Sequence, residues 1–404
     1  MPGRIVLYGA TGYTGGLTAQ AMLASGARPV LAGRDPRRLE ALAARLSQAS
    51  STAALETAVA GTDGPLALRK LIDAGDVLVS TAGPFLKIGR AAVDAAVDAG
   101  AVYLDSSGEP PFIRQVFEEH GPRAERTGAV LLTAFGYDYV PGNLAGALAL
   151  DAARSAGTAR PAGPAGPVGP SAPAGPARPA ATRVDIGYFV RGDTRRAASA
   201  GTLASAAGVL LETGYTFRGG RIVSERAASR IMSFEVAGKL REAFSIGSSE
   251  HFALPRLPAR ARLTDVGVYL GWFGGATRLV HYASALAAPL GRVPAVRRVL
   301  DAQAARIQRS RAEPDPAARV TSDVVAVAAD ASGKQLAAVH LTGGDPYSFT
   351  AGILAWAAGQ AAREGLRPAG ALGPVEAFGA SALETACAAA GIYREQSKSG
   401  WNQF

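Results

Sequence analysis

Cys387 is the only cysteine among 404 residues. No intrachain disulfide can form, and no cysteine-based metal centre can be built. Histidine is scarce as well: His120, His251, His281 and His340 lack metal-ligand spacing, so no metal site is expected. Long apolar runs are missing. The richest stretch, Val266 to Leu290, is interrupted by Arg278 and His281. That argues against a membrane-spanning helix and for a buried or interfacial segment, or the lining of an apolar channel. No leader precedes the first strand-like run at Arg4, so a cytoplasmic location is expected. Several catalytic signatures are absent. Tyr103, Tyr137 and Tyr139 have Ser107, Pro141 and Asn143 four residues on, so no tyrosine–lysine acid–base pair exists. There is no Gly-x-Ser-x-Gly elbow and no Walker lysine.

The remaining composition is that of a core-forming globular protein, 48 % hydrophobic and 19 % charged. The length suggests two domains or more. Formal net charge is +9, yet only five of the 42 basic residues are lysine and the arginines are scattered. This excludes a concentrated nucleic-acid face and leaves open affinity for anionic phosphates or weak contact with an anionic membrane surface.

The densest information lies in the first residues. Arg4 to Tyr8 reads as a buried strand, Leu17 to Ala24 as a helix, and Gly9, Ala10, Thr11, Gly12, Tyr13, Thr14 and Gly15 join them. Glycines at 9, 12 and 15 suit a tight turn, a close backbone approach to a diphosphate and a close helix–strand contact, in that order. The diphosphate would lie on the N–H groups of the helix N-terminus. A second strand, Pro29 to Ala32, ends in Gly33-Arg34, where a site for NAD would carry Asp or Glu. An arginine there suits a 2′-phosphate, so the expected cofactor is NADP. Arg37 and Arg38 stand close behind.

Alternation continues with helix Pro36–Ser47, strand Leu55–Ala60, helix Gly64–Ala74 with Asp63 at its start, and strand Asp76–Ser80. Helix Gly89–Ala99, strand Ala101–Leu104, helix Phe112–Thr127 and strand Ala129–Phe135 follow. Such alternation implies an α/β, doubly wound parallel sheet with ligands at the carboxyl edge of its strands. Ser80, Thr81, Ala82, Gly83, Pro84 and Phe85 leave one strand at that edge, and Asp105, Ser106 and Glu109 leave the next. They are candidates for cofactor contact, with Glu109 a candidate for chemistry. Asp105 equally suits a turn cap. Gly136 to Asn143 follows the last strand, and Tyr137 or Asp138 is placed to donate a proton or orient a substrate. A hinge between domains explains the same residues.

Residues 1–150 thus form a nucleotide-binding domain. Residues 151–181 are a Pro/Gly/Ala-rich insertion without core residues. Residues 182–370 read as an α+β domain with a mainly antiparallel sheet. Its strands are Thr182–Val190, Tyr215–Val223 and Arg262–Leu270, with a hairpin of Val320–Ala329 and Lys334–Gly343. Its helices are Ala197–Thr213, Ala276–Ala288, Ala295–Arg311 and Ser348–Glu364. Tyr347, Asp345 and His281 are candidates for substrate contact or for packing and capping. Residues 371–404 form a tail suited to packing back on the first domain, and a dimer through the second sheet stays open.

Gly-Ala-Thr-Gly-Tyr-Thr-Gly at 9–15, Ala-Gly-Arg at 32–34, Ser-Thr-Ala-Gly-Pro-Phe at 80–85, Tyr-Leu-Asp-Ser-Ser-Gly-Glu at 103–109 and Gly-Tyr-Asp-Tyr-Val-Pro-Gly-Asn at 136–143 resemble the saccharopine dehydrogenase-like oxidoreductases. Within them the chain looks most like the branch with trans-acting enoyl reductases. The resemblance covers about the first 150 residues; beyond them Gly-Gly-Asp-Pro-Tyr-Ser-Phe-Thr-Ala at 343–351 is the best match. It implies a Rossmann domain, an NADPH-dependent reductase and a small-molecule substrate, apolar or carrier-linked. Reduction of C=C is the leading expectation, with an imine or ketone reductase, or a non-catalytic NADP-binding sensor or scaffold, as alternatives.

Overall fold

A computed structural model of the chain describes residues 2–50, 53–61, 65–158, 180–194, 212–258, 263–290, 302, 315 and 318–395. Two sheets organise it. The first is a seven-stranded parallel sheet with order β15-β6-β5-β4-β1-β2-β3. Its strands are β1 (Ile5–Tyr8), β2 (Val30–Gly33), β3 (Thr57–Val59), β4 (Val77–Ser80), β5 (Val102–Asp105), β6 (Val130–Leu132) and β15 (Gly370–Ala371). β1, β2, β4 and β5 are buried throughout, as parallel strands covered on both faces must be. Chain order reverses between β1 and β4, which opens a crevice at their carboxyl ends.

Local chemistry explains the helices of this layer. α1 (Tyr13–Ala24) starts at Tyr13, four residues earlier than the sequence pattern suggests, so Gly15 lies inside the helix. α2 (Pro36–Ala49) opens with the Asp35 carboxylate accepting from the Arg38 N–H and with Pro36 at its first position, and it buries Leu39, Leu42, Ala43 and Leu46. α3 (Leu66–Arg69) is only one turn of the longer helix expected there. α4 (Phe85–Ala99) also starts four residues early and ends on left-handed Gly100. The helix expected over Phe112–Thr127 is α5 (Pro110–Gln115), a π turn (Val116–His120) and α6 (Gly121–Thr127). β6 stops at Leu132 because Ala134 takes a left-handed turn, φ 58°.

The second sheet has nine strands: β10-β11-β12-β7-β13-β14-β16, with β8 paired to β12 and β9. They are β7 (Arg183–Gly192), β8 (Thr213–Arg218), β9 (Arg221–Arg226), β10 (Ile231–Val236), β11 (Lys239–Ser245), β12 (Asp265–Leu270), β13 (Val320–Ala329), β14 (Gln335–Gly343) and β16 (Ile392–Arg394). All pairs are antiparallel except β12 with β7. The strand expected over Tyr215–Val223 is split by Gly219-Gly220, both at positive φ, which fold β8 back on β9. The β10–β11 hairpin was not legible, because its polar alternation resembles a loop.

Helices cross the domain boundary that the sequence suggests. α7 (Val140–Thr158) extends into the segment expected to be a Pro/Gly insertion, and it packs beneath β7, β13 and β14. α8 (Glu250–Ala253) leaves β11 and touches α7 and β12. The apolar stretch at 266–290 is β12, a turn and α9 (Thr277–Leu290). Among the described residues no helix is long and apolar enough to cross a membrane. α10 (Pro346–Glu364), capped by Asp345, packs on α1 of the first layer, and β15 continues that sheet beside β6. α11 (Pro374–Phe378) and α12 (Ala380–Ala389) lead into β16. Most of the helices expected over 197–213 and 295–311, and most of the Pro/Gly segment, lie outside the described residues, and Thr213 already belongs to β8.

Ile353 on α10 is fully buried. Ile353→Ala is expected to cost about 2–4 kcal/mol in chemical denaturation, the usual price of a large-to-small change in a packed core.

Candidate active site

The crevice is built on three loops at the carboxyl edge of the parallel sheet. The first is the turn after β1. Gly9 has φ +82°, and a Cβ there would lie 2.8 Å from the Ala82 N of the loop after β4. Its carbonyl accepts from the Gly12 N–H at 3.0 Å and from the Thr81 hydroxyl at 3.2 Å. A Cβ at Gly15 would collide with that same carbonyl and lie 2.8 Å from Thr81 Oγ1. Gly12 differs: its Cβ would meet only the Gly9 oxygen, at 3.3 Å. Gly12 is the N-cap of α1 and supplies no side-chain cap. Gly9 and Gly15 are therefore required by the protein's own packing, whereas Gly12 leaves α1's first turn open to an anionic ligand.

The flanking residues extend this cradle. Arg38 donates to the Thr11 carbonyl at 2.9 Å and closes α2 onto the glycine turn. Thr14 lies in the first turn of α1, where its carbonyl accepts from Thr18, and the Tyr13 ring meets Tyr347 of α10 edge-on at 5.2 Å. Gly33 ends β2, and the exposed Arg34 follows at the edge. Asp63 lies outside the described residues.

In the second loop, Thr81 is anchored to Tyr8 and Gly9, Ala82 and Gly83 line the surface, and Pro84 precedes α4. The Ser80 hydroxyl is buried at the register position of Asp105, and Phe85 is buried against Phe112, so neither side chain faces the crevice. Glu109 accepts from the Phe85 and Leu86 N–H groups, both at 2.9 Å. It is the missing cap of α4, brought from the neighbouring strand. Asp105 Oδ1 accepts from Ser107 N and Ala134 N at 2.8 and 2.9 Å, tying the segment after β5 to the turn after β6 that leads into the third loop. Burial pushes its carboxyl up to about 6 against those stabilising bonds. Ser106, half-buried, donates its N–H to the Ser80 carbonyl.

The third loop runs from Gly136 into the first turn of α7, and the second sheet bolts it down. Tyr137 N donates to Thr350 Oγ1 at 3.0 Å, and the Tyr137 hydroxyl donates to the Phe189 carbonyl at 3.2 Å. Burial raises that phenol far above its ordinary range. The Gly142 N–H donates to the Tyr188 hydroxyl at 2.8 Å, and Asn143 Nδ2 donates to Ser249 Oγ at 3.0 Å. Asp138 lies between these bolts, half-buried, its Oδ2 against Gly108 and its buried Oδ1 without a hydrogen-bond partner among the described residues. Desolvation pushes its carboxyl up to about 7. Tyr137 is spent on anchoring, whereas Asp138 keeps a free, protonatable oxygen.

Beneath Asp138 lies a polar cluster that sequence reasoning missed. Tyr188 donates to Glu250 Oε1 at 2.6 Å, and burial raises that carboxyl to about 8. His251 is buried and held neutral, its pKa pushed down to about 3. The Ser248 N–H donates to its Nδ1, which places the ring proton on Nε2. The only sequence signal was Ser248-Ser249-Glu250-His251, four polar residues directly after an apolar strand end. His281 and Asp345 take other roles: His281 Nδ1 bonds the Ala228 carbonyl, and Asp345 caps α10.

Residues 5–132, from β1 to the end of β6, match the family model of the saccharopine dehydrogenase NADP binding domain. That part of the chain is similar to this domain, and the match covers less than half of the chain. Its glycine turn and uncapped α1 fit a nicotinamide dinucleotide. A Mycobacterium ulcerans protein named trans-acting enoyl reductase is 38 % identical over 142 residues, 35 % of this chain and 34 % of that protein. One of the same name from Mycobacterium tuberculosis H37Rv is 37 % identical over 142 residues, with the same coverage. The matched portion thus spans about a third of these relatives. Across the full chain, the homospermidine synthase of Legionella pneumophila, solved with NAD, shares the fold at TM-score 0.55 and 9 % identity, covering 100 % of this chain and 94 % of that one. The parallel layer is therefore joined to a second sheet in an architecture already known.

Two outcomes follow for this domain. Gly15→Ala is expected to lower stability by about 2 kcal/mol or more through overpacking, whereas Gly12→Ala leaves it nearly unchanged and weakens nucleotide binding; denaturation and nucleotide titration separate them. Stability should fall as pH rises from about 4.5 to 8, because folded Asp138 and Glu250 hold their protons up to about 7 and about 8 whereas the unfolded chain has already released them, and the neutral His251 opposes this only below about 6.5. Asp138→Asn or Glu250→Gln should flatten that decline in thermal melts.

Proposed function

We propose that the chain is an NADPH-dependent reductase that delivers hydride to the C=C bond of an enoyl, polyketide- or lipid-like substrate. Asp138 carries this reading: a half-buried carboxyl with an unpartnered oxygen, on the third loop of the nucleotide crevice. The exposed Arg34 at the end of β2 suits the 2′-phosphate of NADPH. The glycine turn would take the diphosphate, and the loop after β4 would lie along the ribose and nicotinamide.

The cofactor supplies hydride to the β-carbon. The protein's part is the matching proton, which Asp138 gives to the α-carbon from its protonated form, leaving a carboxylate that solvent reprotonates. A carboxyl near neutrality is matched to that task. Orientation by the three anchored loops supplies a further share of the rate. Among the described residues the third loop and its cluster present carboxyl, phenol, amide and imidazole groups and no arginine in hydrogen-bond contact. An imine carrying two amino-acid carboxylates would call for convergent arginines, so the enoyl reading is preferred. The names borne by the mycobacterial relatives agree with it.

Titration of purified protein with NADPH and NADH, followed by nicotinamide fluorescence, tests the cofactor. Arg34→Ala should weaken NADPH about tenfold and leave NADH unaffected, consistent with the loss of one charge-assisted contact. In a panel of enoyl thioesters, imines and ketones, Asp138→Asn should lower turnover of the active substrate by about 10²-fold or more without changing NADPH affinity. Failure of both nucleotides to bind overturns the reading.

A further inference from the structure

α10 comes from the second half of the chain, and its first turns touch both the nucleotide turn and the third loop. Tyr347 and Thr350 are three residues apart on this helix, so they share one face with roughly 5–6 Å between their Cβ atoms. Tyr347 meets the ring of Tyr13, the first residue of α1, edge-on at 5.2 Å. Thr350 Oγ1 accepts from the Tyr137 N–H at 3.0 Å and donates to the Pro346 carbonyl at 2.8 Å. The single proton of the hydroxyl is thus committed to its own helix, and a lone pair serves the loop. Gly136 comes so near that a Cβ there would lie 2.9 Å from Thr350 Cγ2. Phe349 adds a buried ring edge-on to Tyr137, with centroids 6.5 Å apart.

This end of α10 is itself held. The Asp345 carboxylate accepts from the Ser348 N–H and hydroxyl at 2.7 and 2.8 Å. Ser322 of β13 donates to the Gly344 carbonyl just ahead, at 2.7 Å. Farther along, α10 packs on α1, β1, β4 and β5, and Ile353, Leu354, Ala357 and Ala358 are fully buried. Close-packed interiors transmit strain, so a displacement at one contact of the helix is passed to the other.

We propose that Tyr347 and Thr350 are positioning residues: the first turns of α10 form a spacer that sets the third loop, and Asp138 with it, against the nucleotide turn. This rests on the reading of the crevice as the place where hydride and proton meet one double bond. The hydride donor would sit on the glycine turn and the proton donor on the third loop, so their spacing is a property of whatever joins the two. A misplacement of about 1 Å can lower a rate by about 10²-fold. Thr350 fixes the loop through the Tyr137 amide, and Tyr347 fixes the spacer against Tyr13.

Two measurements on the full-length protein test this. The first involves no turnover: amide hydrogen exchange, read by mass spectrometry over residues 134–143. Thr350→Val keeps the shape and removes the acceptor, and it should speed exchange of that segment about tenfold or more, whereas Thr350→Ser, which keeps the hydroxyl, should not. Tyr347→Ala acts on the nucleotide side and should speed the same segment, while β13 exchanges as in wild type. The second measurement is reduction of the N-acetylcysteamine thioester of crotonic acid by NADPH. Thr350→Val should lower kcat about tenfold or more and leave the NADPH dissociation constant within about twofold, with kcat restored in Thr350→Ser. Tyr347→Ala should lower kcat to a similar degree, and Tyr347→Phe, which keeps the ring, should restore it. The double variant Tyr347→Ala/Thr350→Val should be little slower than either single variant, because a spacer released at one end no longer sets the loop. If Thr350→Val fails to fold, Gly136→Ala crowds the same contact from the loop side and should lower kcat likewise. The proposal is overturned if either Tyr347→Ala or Thr350→Val leaves exchange over 134–143 unchanged, or if their losses in kcat multiply. A thioester that fails to react counts against the reductase reading alone, because exchange decides the spacer by itself.

Discussion

The carbonyl of Gly9 lies under the first turn of α1, and the geometry of the nucleotide crevice is referred to it. It accepts from Gly12 and from Thr81, so one oxygen joins the turn after β1 to the loop after β4 across the reversal point of the sheet. α1 can rest on it only because Gly15 has no side chain. Widening that contact by one methyl group would lift α1, move the N–H groups that would meet a diphosphate, and loosen the Thr81 anchor together. The cost of glycine inside a helix, roughly 0.5–1 kcal/mol relative to alanine, is accepted here for the sake of that close approach.

A second constraint acts at the other end of the crevice. The Asp138 loop would be free to wander if only the parallel sheet held it. Bonds from Tyr137, Gly142 and Asn143 to Thr350, Phe189, Tyr188 and Ser249 tie it to parts of the chain 46 to 213 residues away. The two layers also exchange helices, α7 going under the second sheet and α10 onto α1. Burial of Asp138 and Glu250 is a product of this interlock, and their shifted acidities follow from burial.

Much of the first layer was legible because its signals are local. A glycine turn between strand and helix, an arginine ending β2, and short apolar strands alternating with amphipathic helices are patterns within a few residues. Misplaced helix starts at Tyr13 and Phe85 have one cause: neither helix is capped by its own sequence. For α4 the cap is Glu109, 24 residues downstream of Phe85, where it looked like a catalytic acid. Ser80 read as cofactor-facing because it ends a strand, but its register with Asp105 turns the hydroxyl inward. The β10–β11 hairpin escaped notice because a strand with exposed Glu235, Lys239 and Leu240 lacks the apolar run that marks a core strand.

By itself the sequence determined the parallel layer, the nucleotide turn and the set of loops at its edge. These depend on backbone conformations and short-range periodicity, which residue identity controls directly. Only the tertiary structure decided which acidic groups stay protonated and which are consumed as caps. Glu109, Asp138 and Glu250 are chemically similar carboxyls, and they differ in whether distant N–H groups reach them or apolar and acidic neighbours surround them. That difference is set by packing between segments far apart in the chain, because desolvation and charge coupling depend on distance in space.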